Sequence, residues 1–99
     1  MNLQTMMKQA QKMQEEVLKE KEIINKKVFY GKKSFIEVEV NGEKKLLKLK
    51  IDKNIDLKGQ DKEILEDMIV VAVNDALNKV DKEIATKMGK YGSGLSGLI

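Results

Sequence analysis

The chain contains no histidine, cysteine, tryptophan, proline or arginine. Without histidine, no side chain at its ordinary pKa shuttles protons near neutral pH. Without cysteine there is no thiolate nucleophile, no soft-metal ligand and no disulfide framework. Composition therefore favours a binding or architectural protein over an enzyme. The lack of cysteine also suits a cytoplasmic location. Aromatic residues make up only 4% of the chain, so the core must be built from Ile, Leu, Val and Met. No apolar run approaches the roughly 20 residues that span a bilayer, and polar Gln and Lys interrupt the N-terminus, so neither a membrane segment nor a signal peptide is expected. All 19 cationic side chains are lysine. Lysine is a point charge on a flexible stem and lacks the planar fork with which arginine reads guanine.

Ninety-nine residues, 41% apolar and 35% charged, describe one small domain whose surface is richer in charge than the usual ~25%. The net charge of +3 is mild, but its distribution is uneven. Residues 1–14 carry Lys8 and Lys12 and no acid, and residues 26–34 carry Lys26, Lys27, Lys32 and Lys33 and no acid. Residues 52–75 are acid-rich. From residue 76 onward Lys79, Lys82, Lys87 and Lys90 outweigh Asp81 and Glu83.

Hydrophobic periodicity predicts the order α-β-β-β-α, an α+β fold with two long helices and a small antiparallel sheet. Leu3, Ala10, Val17 and Ile24 recur every seventh residue with Met6 and Met13 between them, a narrow heptad seam along a helix over residues 3–26. Glu15–Lys19 and Glu22–Lys26 are favourable i,i+4 pairs on that helix. A short strand follows at 28–30, punctuated by Gly31. Residues 34–40 alternate, with Ile36, Val38 and Val40 on one face. Asn41-Gly42 signals a hairpin. The return strand, 45–52, places Leu47, Leu49 and Ile51 on one face. A two-residue turn sets Val38 opposite Lys45. A four-residue loop sets it opposite Leu47, and Glu37 opposite Lys48, and is preferred for its better matched pairs. Asp61 reads as the N-cap of a second long helix that ends near Met88, with Gly89 as its C′ residue. The domain spans residues 1–91, and the Gly-rich tail 92–99 is expected to be flexible. The narrow seam on the first helix and the open sheet edges together point to a homodimer.

Several motifs carry no chemistry. Gly92, Gly94 and Gly97 make a formal G-x-G-x-x-G, but it follows a helix and opens none, so no dinucleotide cofactor is expected. The pairs Glu15/Glu16, Asp52/Asp56 and Glu66/Asp67 read as solvated surface. Asp52, Asp56 and Asp61 are too few and too spread for a divalent-cation site. Methionines along the first helix fit a plastic interface. The lysines remain. Lys8, Lys12, Lys79, Lys82, Lys87 and Lys90 lie near helix ends, and a dimer that brought those ends together would form a cationic clamp for a polyanion. Lysine charges of this kind predict phosphate contacts with little base reading, and therefore strong salt dependence.

Met7-Lys-Gln-Ala-Gln-Lys-Met-Gln-Glu-Glu16 resembles the opening helix of the YbaB/EbfC family of bacterial nucleoid-associated proteins. Val38-Glu-Val-Asn-Gly42 is similar to the family's V-x-V-x-G strand and turn, and Ile51-Asp52 to its strand end. Glu66-Asp-Met-Ile-Val-Val-Ala-Val-Asn-Asp-Ala76 resembles its second long helix, and the Gly-Leu-Ser-Gly-Leu-Ile ending resembles its tail. The likeness runs in order over nearly the whole chain. It implies a tweezer-like homodimer in the nucleoid that binds double-stranded DNA with modest sequence specificity and acts in nucleoid organisation and gene expression. The family's DNA contacts lie on its two long helices. Carried over, they fall on Lys8 and Lys12, inside a matching motif, and on Lys79, Lys82 and Lys87, beyond one. Family members often carry arginine after the Asn-Asp-Ala segment, where this chain has Leu77-Asn78-Lys79, which argues against a base-reading contact there. The alternative reading is a dimeric interaction module that docks a DNA-repair or replication protein.

Overall fold

Asn2 opens the first helix, α1 (Leu3–Lys26), from an extended conformation. Its side-chain oxygen accepts from the Thr5 backbone N–H and hydroxyl, both at 2.8 Å, and so satisfies one of the orphan donors of the first turn. Lys26 in the last turn complements the helix dipole and pairs with Glu22 at 3.0 Å. The other expected pair, Glu15–Lys19, does not close among the described residues. These are residues 2–58 and 61–91 of a computed structural model.

The heptad seam of α1 has two fates. Val17 and Ile24 are buried in the core, whereas Leu3 and Met6 remain 71% and 52% exposed and Ala10 and Met13 also face solvent. The first half of α1 is thus an arm that projects from the body.

Three antiparallel strands follow in the order β1-β2-β3: β1 (Val28–Lys33), β2 (Ile36–Asn41) and β3 (Leu46–Ile51). β1 runs beyond the expected 28–30, straight through Gly31. Gly31 is there for close approach and not to turn the chain: a Cβ would lie 2.1 Å from the Ala72 carbonyl oxygen of the crossing helix. The turn comes later, at Ser34-Phe35, with Lys33 paired to Ile36. Ser34 adopts a φ of 53°, the left-handed value such tight hairpins need at the first central position. Ser34 therefore belongs to the turn and not to the second strand.

Neither expected register of the second hairpin forms. The Asn41 N–H donates to the Lys45 carbonyl at 3.0 Å, which leaves a three-residue loop, Gly42-Glu43-Lys44, with Lys44 at φ 65°. The Asn41 side-chain oxygen accepts from the N–H groups of Glu43 and Lys45 at 2.9 and 3.0 Å and stabilises that loop. A bulge then shifts the pairing, so that Val40 faces Leu46 but Val38 faces Leu49, Ile36 faces Ile51 and Glu37 faces Lys50. Leu47 is the extra residue, taken out of the row it was expected to share with Leu49 and Ile51.

The second helix, α2 (Asp61–Met88), starts at Asp61, whose carboxylate accepts from the Lys58 N–H at 3.0 Å. Asp61 is the first helical residue and binds back to the loop, instead of capping from outside. Ala72, Ala76 and Val80, all fully buried, form an i,i+4 stripe. The two alanines let α2 approach β1 closely. The core consists of this stripe with Met88, Val17 and Ile24 of α1, and Phe29, Ile36, Val38 and Val40 of the sheet. α2 packs across β1 and β2, and β3 lies largely outside its footprint. α1 meets α2 and β2 only through its C-terminal half, so the helices do not share the sheet face equally. Past Met88 the chain continues as a 3-10 turn, Gly89–Tyr91. Gly89 does not adopt a left-handed φ, so it is no C′ terminator. The tail 92–99, its three glycines and the domain boundary at residue 91 lie outside the described residues.

The chain measures 71 × 19 × 15 Å with a radius of gyration of 19.3 Å. A compact domain of this length would have about 13 Å. The excess reflects the projecting arm at one end and the uncovered end of α2 at the other.

Candidate nucleic-acid interface

Lys8 and Lys12 sit one turn apart on the α1 arm, in a segment without an acid, and both are exposed. Neither makes an ion pair or side-chain hydrogen bond among the described residues. An i,i+4 spacing places their ammonium groups on one face of the helix. These two charges are free to meet a polyanion.

Lys79, Lys82 and Lys87 lie on the second half of α2 and are also exposed. Lys82 and Lys87 have no ion-pair partner within 4 Å among the described residues. Lys79 differs. Its ammonium donates to the Tyr30 carbonyl at 2.7 Å and lies 3.7 Å from the Asp75 carboxylate. It fastens α2 to β1 and offers only part of its charge outward. Ile24 and Lys21 of α1 share one hollow with Ile84 and Met88 of α2. Lys12 is nine residues before Lys21, so about 14 Å of helix separates the arm pair from that junction. The five lysines therefore form a dispersed set on one chain, with Lys8 and Lys12 on the arm, Lys79 and Lys82 beside β1 and Lys87 in the last turn of α2.

Lys27, at the junction of α1 and β1, was not among the expected contacts. It pairs with the half-buried Glu83 and stands 5.5 Å from the centroid of the Phe29 ring. The hydrogen bond from Lys27 holds the Glu83 carboxyl below its ordinary pKa; burial is the next largest effect and opposes it, and the charges of Lys27 and Lys87 add smaller pulls downward. The acid-free run 26–34 was the available signal for Lys27; its partner, far along the chain, was not legible.

The hollow between α1, the second hairpin and α2, about 610 Å³, is not a match for a polyanion. Lys21 and Lys44 on its rim face Glu43 and Asp81, and Lys44 pairs with Asp81 at 2.6 Å. The acids of the loop have local tasks. The Asp52 carboxylate accepts from the Asn54 N–H at 3.0 Å, and Asp56 pairs with Lys58 at 3.3 Å. No cluster of three or more potential metal ligands occurs among the described residues. No helix there is long and apolar enough to cross a membrane.

Exposed lysines on the two long helices of a small, elongated α+β body fit the class of nucleic-acid-binding proteins. Comparison with known proteins gives the particular family: the chain belongs to the YbaB/EbfC DNA-binding family, whose model matches residues 1–95. This is a nucleoid-associated DNA-binding family and not an enzyme family. The chain is 38% identical over 98 residues to a nucleoid-associated protein of Enterococcus faecalis, covering 97% of this chain and 93% of that protein. It is 40% identical over 97 residues to one from Lactococcus lactis subsp. cremoris, covering 96% and 97% of the two chains. A third, from Mycoplasmopsis pulmonis, is 42% identical over 83 residues, covering 83% and 81%.

Proposed function

We propose that this protein binds double-stranded DNA as a homodimer, mainly through lysine–phosphate contacts, and acts in the nucleoid, within the cytoplasm, in nucleoid organisation and gene expression. The observation that carries this reading is the pair Lys8 and Lys12, two exposed charges without an ion-pair partner among the described residues, on an arm that has no acid before Glu15. The names of the related proteins, all nucleoid-associated, support it. An ammonium on a flexible stem contacts phosphate oxygens without reading base edges, so sequence preference is weak and arises mainly from DNA shape.

Dimerisation is supported by what one chain leaves uncovered. Met68-Ile-Val-Val-Ala-Val73 is an unbroken apolar run on α2, and one helix face cannot hide it. Ile64, Val70 and Val71 are accordingly 48%, 57% and 47% exposed. In β3 every residue except Ile51 is exposed, including Leu46, Leu47 and Leu49. A free edge strand with exposed leucines and an exposed apolar helix face each suit a second copy of the same chain, in twofold apposition.

A second reading has its own observation. Met6, Met7 and Met13 are 52%, 54% and 38% exposed on the arm, a plastic surface that could hold a DNA-repair or replication protein. Replacing Lys8 and Lys12 by Glu separates the two. If the arm holds DNA, a gel shift at low salt loses the duplex complex. If it holds a protein, capture of that partner survives both the substitution and nuclease treatment.

A further inference from the structure

Lys27, in the acid-free basic run 26–34 that leads into β1, takes no part in the contacts proposed above. β1 is the free sheet edge opposite β3, and α2 passes beside it. Between them lies a shallow groove of about 280 Å³, lined by Lys27, Phe29, Lys79, Lys82, Glu83 and Thr86. Its lining carries three ammonium groups against one carboxylate.

The groove is built from both sides. On the strand side, Lys27 stands by the Phe29 ring and reaches Glu83. On the helix side, Lys79 is fixed by the Tyr30 carbonyl, and Lys82 has no ion-pair partner among the described residues. Thr86 adds a hydroxyl. The space is small for a drug-sized ligand, whose pockets run from ~300 to ~1,000 Å³. It is open, cationic and provided with donors, which suits one phosphate group of a larger polyanion. Glu83 is the single acid, and it occupies Lys27 when nothing else does. Lys27 is the exposed partner of that pair, so its ammonium is within reach of an arriving phosphate, whose charged oxygens can compete for it.

We propose that the groove between β1 and α2 is a seat for a backbone phosphodiester of duplex DNA, contacted by Lys27 and Lys82, and that Glu83 competes with that phosphate for Lys27. This rests on the DNA-binding reading but extends the contact surface from the helix arm to the sheet edge. It also makes Glu83 an internal rival of the ligand, so that the free protein is held partly self-neutralised.

The test is duplex-DNA binding by fluorescence anisotropy over a series of salt concentrations, with thermal melts confirming that each variant folds. K27Q/K82Q should flatten the slope of log K against log salt by about one for each lost contact. K27R/K82R should restore it. E83Q should tighten binding by about two- to fivefold, the range expected when a surface ion pair is released. A wild-type slope for K27Q/K82Q together with unchanged affinity for E83Q would overturn the proposal. If K8E/K12E still weakens binding in that case, the DNA-binding reading stands without the groove. Failure of the unaltered protein to bind duplex at low salt would overturn both.

Discussion

Gly42 lies so close to the backbone of Ile24 that a Cβ on it would stand 1.8 Å from the Ile24 carbonyl oxygen. The tip of the second hairpin is thereby pressed against the last turns of α1, and this contact fixes where the arm leaves the body. Gly42→Ala must push the hairpin or the helix aside. We expect a loss of about 1–3 kcal/mol in urea unfolding. Gly31→Ala, with Ala72 backbone at 2.1 Å, should cost a similar amount. Gly89→Ala meets nothing within 4 Å, so it should leave stability unchanged or raise it by about 0.5 kcal/mol.

The apolar surface left by β3 and α2 predicts the oligomeric state. Sedimentation equilibrium should give twice the 11.3 kDa mass of one chain. Leu47→Lys with Val70→Lys places charges on side chains that a single chain leaves 53% and 57% exposed. These changes should be tolerated by the fold of one chain but should drive the protein to monomer. A variant that remains dimeric would place the interface elsewhere, with the α1 arm as the next surface to test.

Glu83 gives a pH prediction. Its folded-state pKa is depressed below the ordinary 4.5, first through the hydrogen bond from Lys27. A depressed carboxyl contributes stability that is present above the unfolded value and lost as pH falls through the lower folded value. The stability difference between the wild type and E83Q should therefore be constant above about pH 4.5 and shrink below it. A carboxyl NMR titration should place the Glu83 midpoint under 4.5. A midpoint at or above that value would mean that Lys27 and Glu83 do not pair in solution.

The element order was legible in the sequence because its cues are local and periodic. The heptad seam, the Ile36-Val38-Val40 alternation and the Ala72-Ala76-Val80 stripe each write a period of helix or strand directly into the chain. The turns were less legible. Asn41-Gly42 signals a hairpin and the cross-strand pairs favour a four-residue loop, yet the loop has three residues: Asn41 spends its side chain on Glu43 and Lys45 and Gly42 serves the contact with Ile24. Left-handed Lys44 and Ser34 carry no glycine signal at all. Gly31 resembled punctuation because its true neighbour, Ala72, is distant in sequence. The same limit applies to the candidate site. Composition and the acid-free arm point to Lys8 and Lys12, but only packing shows that Lys79 is tied to Tyr30 and that Lys27 faces Glu83.

The most direct test of the central claim, that this chain holds DNA through lysine charges on phosphates, is the salt dependence of binding to two duplexes of equal length and unrelated sequence. About six phosphate contacts predict a slope near −5 in log K against log salt. Both duplexes should give nearly the same line. Absence of binding at low salt, or binding that barely changes with salt, would contradict the account.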